Sequence, residues 1–242
     1  NRFHVVEYRL NTDKIEKEHH FVVLSDLHNK SYGEKNRKLL ERIDKLAPEA
    51  ILIAGDMLTS KPGKSYEVAL DLLKELAKKY PIHYGMGNHE TRLFLYPEVY
   101  GDMGKNYEKD LNDVSIQLMR NESREESDNF RIIGLDMKRD YYKRFKKYPM
   151  DSGYLRETLG EAQKDKYEIL LAHNPDYFEE YAAWGADLVL SGHVHGAGHL
   201  NYRGIRMINA FFNFTNNYII NACFNYMFNI YSGFSNFIRK FF

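Results

Sequence analysis

Five short stretches of this 242-residue chain carry residues able to bind metal or move protons. In chain order they are Asp26-Leu27-His28, Gly55-Asp56, Gly87-Asn88-His89-Glu90, His173, and Gly192-His193-Val194-His195. Asp, His and Asn form a hard-to-borderline N,O donor set that suits Mn, Fe or Zn. The lone thiol, Cys223, offers no soft site. Seven of these groups (Asp26, His28, Asp56, Asn88, His173, His193 and His195) are more than one ion needs. They suit two divalent ions about 3.5–4 Å apart that share a carboxylate and clamp a phosphoryl group during in-line attack. On an extended segment side chains alternate with period two, so Asp26 and His28 should face one pocket, and likewise His193 and His195. The glycines beside them let the backbone turn and a phosphate approach.

Each fragment alone is weak. Asp-x-His is common at surfaces, Gly-Asp after a strand is an ordinary turn, and a single strand-end His such as His173 is more often a satisfied rim residue. The joint pattern is specific, because five of the ten histidines fall in these pieces and each piece follows an expected strand.

Those strands are apolar, β-branched runs: 21–26, 50–56, 81–88, 131–137, 167–173 and 186–195. Between them, 35–45 and 66–80 space Leu, Ile and Val as helices do, and 176–185 reads as a helix closed by Gly185. Residues 114–136 read as a polar hairpin-like region, and 138–147 and 153–164 as charged, helix-prone segments. Strand–helix alternation predicts βαβ units on parallel sheets, whose strand ends beside Gly are where open α/β sheets bind ligands. His4, His19 and His20 are expected at the surface, His83 in packing, and His199 near the pocket at most. Tyr96, Tyr100 and Tyr107 read as a cap over the site or as core.

The bulk numbers fit this picture. The chain is 43% hydrophobic and 28% charged, with 34 basic and 34 acidic residues. A balanced charge argues against a dedicated nucleic-acid surface. A single cysteine excludes an intrachain disulfide. No stretch is long and apolar enough to span a bilayer. The chain begins at Asn1, which leaves a leader or anchor upstream open.

The ordered set DLH, GD, GNHE, H and GHVH resembles the calcineurin-like metallophosphoesterase family over about residues 20–196. The resemblance implies an α/β fold: a four-layer α/β/β/α sandwich of two mixed sheets flanked by helices. It implies two divalent metal ions, Mn, Fe or Zn. Asp26, His28 and His195 would bind the first, Asn88, His173 and His193 the second, and Asp56 would bridge them. A hydroxide held by the metals would hydrolyse a phosphate ester or pyrophosphate bond. His89 would act as acid and charge stabiliser at the phosphate. Glu90 would orient His89 or simply favour a helix N-terminus.

Residues 25–36, SDLHNKSYGEKN, resemble a bacterial branch that often carries an N-terminal membrane helix. The implied location is cytoplasmic or anchored at the bacterial cell membrane. Some relatives in that branch cleave a UDP-diacylglucosamine lipid pyrophosphate, so the partner is a phosphate-containing small molecule or a lipid-linked substrate. A non-catalytic interaction module on the same fold is the alternative from another class. Such relatives usually lose ligands or the GNH histidine, and this chain keeps all of them.

The expected domain is 1–195, with its core from about 20, followed by an atypical tail, 196–242. No acidic residue follows Asp187, and Arg203, Arg206, Arg239 and Lys240 give the tail a charge of +4. Three readings of the tail stay open. It completes the second sheet, it is an out-of-frame readout of an AT-rich gene, or it forms an amphipathic helix striped by Asn209, Asn213, Asn217, Asn221, Asn225 and Asn229.

Overall fold

The computed structural model describes residues 3–126, 129–143 and 147–193, and the backbone of 198–202, 205–209 and 218–226. The strands are β1 (His4–Thr12), β2 (His19–Leu24), β3 (Ala50–Ala54), β4 (Ile82–Gly85), β5 (Leu118–Met119), β6 (Glu122–Glu125), β7 (Phe130–Gly134), β8 (Tyr167–Leu171), β9 (Leu188–Ser191), β10 (Gly198–Tyr202), β11 (Ile205–Asn209) and β12 (Tyr218–Tyr226). The helices are α1 (Arg37–Leu46), α2 (Glu67–Ala77), α3 (Asn88–Leu95), α4 (Pro97–Tyr100), α5 (Met103–Asn112), α6 (Tyr154–Leu159) and α7 (Phe178–Trp184).

Two six-stranded sheets result, ordered β1-β12-β2-β3-β4-β5 and β10-β11-β9-β8-β7-β6. The central strands are parallel, β2 with β3 with β4 in one sheet and β7 with β8 with β9 in the other. Their near-continuous apolar runs follow from burial on both faces. The period-two alternation sorts each strand between layers. Val22, Leu24, Ile51 and Ile53 face a core shared with α1, α2, α3 and α5. Phe21, Val23, Leu52 and Ala54 face Ile169, Leu171, Leu188 and Leu190 between the sheets. Leu170, Ala172 and Val189 face α6 and α7 on the far side. The layers are therefore helix, sheet, sheet, helix. The C-terminal ends of β2, β3, β4, β8 and β9 collect at one edge.

Several expectations change. His19 is buried, not a surface residue: its Nδ1 lies 2.7 Å from Glu49 Oε2 and its ring lies 4.9 Å from that of Phe130. The segment 153–164 is helical only to Leu159, because Gly160 adopts φ +79° and ends α6. Of 138–147, Arg139–Tyr142 forms one 3₁₀ turn, and residues 144–146 lie outside the described residues. The asparagine stripe is not a helix over 218–226. That segment is strand β12, parallel to β1 and antiparallel to β2, as its Tyr, Ile and Phe content favours. The side chains of 196–242, His199 among them, lie outside the described residues. No helix among the described residues is long and apolar enough to cross a membrane.

Candidate metal centre

The loops after β2 and β3 run side by side. Asp26 N–H donates to Gly55 O at 3.1 Å, His28 N–H to Asp56 O at 3.1 Å, and Asn29 N–H to Met57 O at 3.0 Å. This pairing needs an unusual backbone. Asp26, His28, Asn29, Asp56 and His193 all adopt positive φ, between 49° and 69°. Non-glycine residues rarely visit this region, and such strain gathers at functional sites. The expectation of an extended Asp26-x-His28 pair is therefore corrected. The two side chains converge, with His28 Nε2 3.4 Å from Asp26 Oδ1, but a left-handed turn and not strand alternation brings them together.

Glu90 braces this turn. It is fully buried and accepts from Asp56 N–H at 2.8 Å, Gly87 N–H at 3.0 Å, Met57 N–H at 3.0 Å and the Tyr84 hydroxyl at 2.8 Å. It does not orient His89, so that expectation is corrected too. Its link to Gly87 fits the first turn of α3 as well. Burial and then the Asp56 charge raise its carboxyl above the usual value. Asp56 in turn accepts from the His89 backbone N–H at 2.8 Å, at the positive end of α3. A Cβ on Gly87 would collide with Asp56 Oδ1, so only glycine fits there.

The second sheet reaches across. His173 Nδ1 lies 2.6 Å from Ala54 O. A carbonyl only accepts, so Nδ1 carries a proton and Nε2 is the ring atom that points into the cluster. That Nε2 lies 3.0 Å from Asp56 Oδ2 and 3.9 Å from Asp26 Oδ1. His193 donates its backbone N–H to Asp26 Oδ2 at 3.1 Å, and its ring sits 5.3 Å from that of His173. A Cβ on Gly192 would strike Ser25 and Asp26, which explains the Gly before His193.

His89 is set the opposite way. Its Nδ1 lies 3.0 Å from Ser60 N and 2.7 Å from Ser60 Oγ. A backbone N–H only donates, so Nδ1 accepts and the neutral ring holds its proton at Nε2. Ser60, not Glu90, is the residue that positions His89. No motif marks Ser60 in the sequence.

Two sets of ligand atoms gather within 4.8 Å: His28, Asp56 and His89, and Asp56, His173 and His193. Asp56 belongs to both. Within the first set, the Nε2–H tautomer leaves His89 without a lone pair facing the others. Asp26 lies between the sets, 3.4 Å from His28 and 3.9 Å from His173. The donors suit divalent metal. The Asn88 Oδ1 atom is buried without a hydrogen bond among the described residues, a costly state that a cation relieves. The 3.0 Å between His173 and Asp56 is what two ligands share when each lies about 2.1 Å from one ion. His195 lies outside the described residues.

The electrostatics agree. Burial opposes charge on His173, yet the Asp56 and Asp26 carboxylates push it up to about 10. Burial also opposes charge on His28, and the hydrogen bond to Asp26 and the Asp56 charge still raise it. Burial would raise Asp56, but His173, His89 and His28 hold it well below the usual carboxylate range. His89 differs: burial brings it down to about 4 despite Asp56. The carboxylate cluster draws positive charge, whereas His89 stays a neutral donor.

A groove of about 350 Å³ is lined by Thr91, Leu95, Tyr96, Asp136, Met137, Lys138 and Arg139. Tyr96 lies under the Arg139 guanidinium at 5.1 Å. Tyr100 donates to Ser60 O at 3.3 Å, and Tyr107 is fully buried, its hydroxyl 3.0 Å from that of Tyr84. Tyr96 thus lines the groove, while Tyr107 is core.

A model of the calcineurin-like phosphoesterase family matches residues 19–197. An uncharacterised metallophosphoesterase of Campylobacter jejuni is 27% identical over 192 residues, 75% of this chain and 45% of the relative. The chain spans 36–60% of the length of the curated relatives it matches. Among solved structures, the phosphopantetheinyl hydrolase of Mycobacterium tuberculosis aligns with TM-score 0.51 at 16% identity, over 78% of this chain and 87% of that one. The sulfate thiohydrolase SoxB of Thermus thermophilus aligns with TM-score 0.50 at 13% identity, over 78% and 51%. At such identities the likeness is one of fold, shared by enzymes named for different substrates.

Proposed function

The chain belongs to the calcineurin-like phosphoesterase family, and on that premise we propose that it is a metal-dependent phosphoesterase in which two divalent ions would share Asp56. Asp26 and His28 would hold one ion together with His195. Asn88, His173 and His193 would hold the other. The carrying observation is that Asp56 is the carboxylate common to both ligand sets. When bound, the ions supply an activated water and neutralise phosphoryl charge.

The chain's own residues do the rest. Glu90 fixes the 56–58 backbone and so aims Asp56. Gly87 lets the α3 N-terminus come close to that carboxylate. Ser60 holds His89 with Nε2–H outward, a preorganised donor for a phosphoryl or leaving-group oxygen. In this tautomer His89 acts by hydrogen bonding, not as a permanent cation.

The substrate is a phosphate ester or pyrophosphate whose leaving group extends over the groove at Tyr96, Lys138 and Arg139. A lipid-linked pyrophosphate is the second reading, favoured by two exposed apolar side chains, Leu95 in the groove lining and Val99 on α4, each 48% exposed. The test is hydrolysis of bis-p-nitrophenyl phosphate, p-nitrophenyl phosphate and a lipid-linked nucleotide pyrophosphate with Mn²⁺, beside Asp56→Asn. Metal-dependent turnover lost in the variant supports the reading, and the preferred compound names the class. No turnover by metal-loaded protein refutes it.

A further inference from the structure

Tyr142 ends the 3₁₀ turn Arg139–Tyr142 and stands against the second sheet's contribution to the site. Its ring centroid is 5.4 Å from that of His193, edge-on, and 6.2 Å from that of His173. Its hydroxyl is buried and has no hydrogen-bond partner among the described residues. Neighbouring phenols are treated differently. Tyr181 donates to Asn174 O at 2.8 Å and contacts Met137 Sδ at 3.0 Å, and Tyr177 donates to Tyr148 O at 2.9 Å. Tyr154 accepts from Lys138 N–H at 3.2 Å.

A buried phenol without a partner costs free energy that phenylalanine would avoid. Packing against the imidazoles needs only the ring. The hydroxyl therefore calls for an occupant. The ring contacts of Tyr142 locate it: His193 and His173, the imidazoles it packs against, both belong to the candidate metal cluster. The phenol thus stands beside the cluster on the second sheet's side.

We propose that the Tyr142 hydroxyl donates a hydrogen bond to an oxygen of the phosphoryl group bound at the metal cluster, making Tyr142 a substrate-binding residue. This rests on the phosphoesterase reading for its ligand and extends it to a residue outside every motif. The phenol contacts the phosphoryl group from the second sheet's side, where His89 contacts it from the first. One neutral donor to an anion is worth about tenfold to a hundredfold in affinity.

The experiment uses the full chain loaded with Mn²⁺. Inorganic phosphate binding is measured by calorimetry for wild type, Tyr142→Phe and Tyr181→Phe, with Tm recorded for each. Tyr142→Phe is expected to bind phosphate about 10- to 100-fold more weakly, with a Tm at or above wild type. Tyr181→Phe is expected to lower Tm and leave phosphate affinity unchanged. Equal affinity in wild type and Tyr142→Phe overturns the proposal, as does no phosphate binding by wild type. If wild type binds phosphate but hydrolyses no ester, the hydrolase reading fails while the affinity comparison still decides the contact. If Tyr142→Phe does not fold, wild type carrying fluorotyrosine replaces it: a phosphate-dependent ¹⁹F shift at residue 142 supports the contact, and no shift overturns it.

Discussion

The two sheets contribute to the site by different means. At the ends of β2, β3 and β4, three loops are stitched to one another by backbone hydrogen bonds and by Glu90. At the ends of β8 and β9, the described residues offer imidazoles whose anchors lie across the sheet boundary: His173 on Ala54 O, and His193 N–H on Asp26. The first half is a self-supported carboxylate frame. The second half is aimed by the first. The same contrast separates two histidines of similar burial logic. His173 Nδ1 meets a carbonyl and turns Nε2 toward the carboxylates, whereas His89 Nδ1 meets an N–H and holds its proton at Nε2. One backbone atom decides each role.

The sharpest way to break this contrast is Asp56→Asn, which keeps the shape of the frame but removes the carboxylate both ligand sets share. Turnover should fall by about 10³-fold, and bound metal measured by elemental analysis should drop. Retention of more than a tenth of the activity would refute the shared-carboxylate centre.

Next comes Glu90→Gln. Glu90 Oε2 accepts two N–H donors and Oε1 two N–H donors and the Tyr84 hydroxyl, so an amide would face an N–H whichever way it flips. About 1–3 kcal/mol of stability should be lost, which lowers Tm by roughly 2–4 °C per kcal/mol for a chain this long. Metal affinity should fall about 10- to 100-fold. If Tm falls while metal affinity holds, Glu90 braces the fold and not the site.

Ser60→Ala is milder, because the backbone N–H remains. A kcat decrease of about threefold to tenfold is expected, with KM little changed. The ¹⁵N shifts of His89 should still report the Nε2–H tautomer. A switch to the Nδ1–H form would show that the hydroxyl, and not the backbone, sets the role of His89.

The smallest effect lies away from the cluster. Burial and then Arg124 lower His83 to about 4, with Glu126 Oε1 3.4 Å away but its own carboxyl raised by burial. Its unfolded value is about 6.5, so as pH falls from about 6.5 to 4 the unfolded chain takes up the proton first and stability declines. Replacing His83 by Gln should narrow the Tm difference between pH 7 and pH 4.5 by a few degrees. An unchanged difference would mean that His83 titrates normally.

Much of this was readable along the chain. The apolar runs of β2, β3, β4, β8 and β9 declare themselves because each strand is buried on both faces, and the ligand residues follow them directly. His19 was misread because its burial depends on Glu49 and Phe130, residues distant in sequence. Ser60 and Tyr142 gave no signal at all. A serine four residues past Asp56 and a tyrosine in a charged segment have no periodicity to betray them.

The sequence by itself determined the residue types at the strand ends and the alternation that sorts side chains into layers, because both are local properties of composition and pleat. The tertiary structure alone decided which nitrogen of each histidine carries the proton, that Asp26 and His28 meet through a left-handed turn, and that Glu90 serves Asp56. Each of these depends on which backbone N–H or carbonyl another strand presents, and only the docked sheets bring those atoms within hydrogen-bond reach.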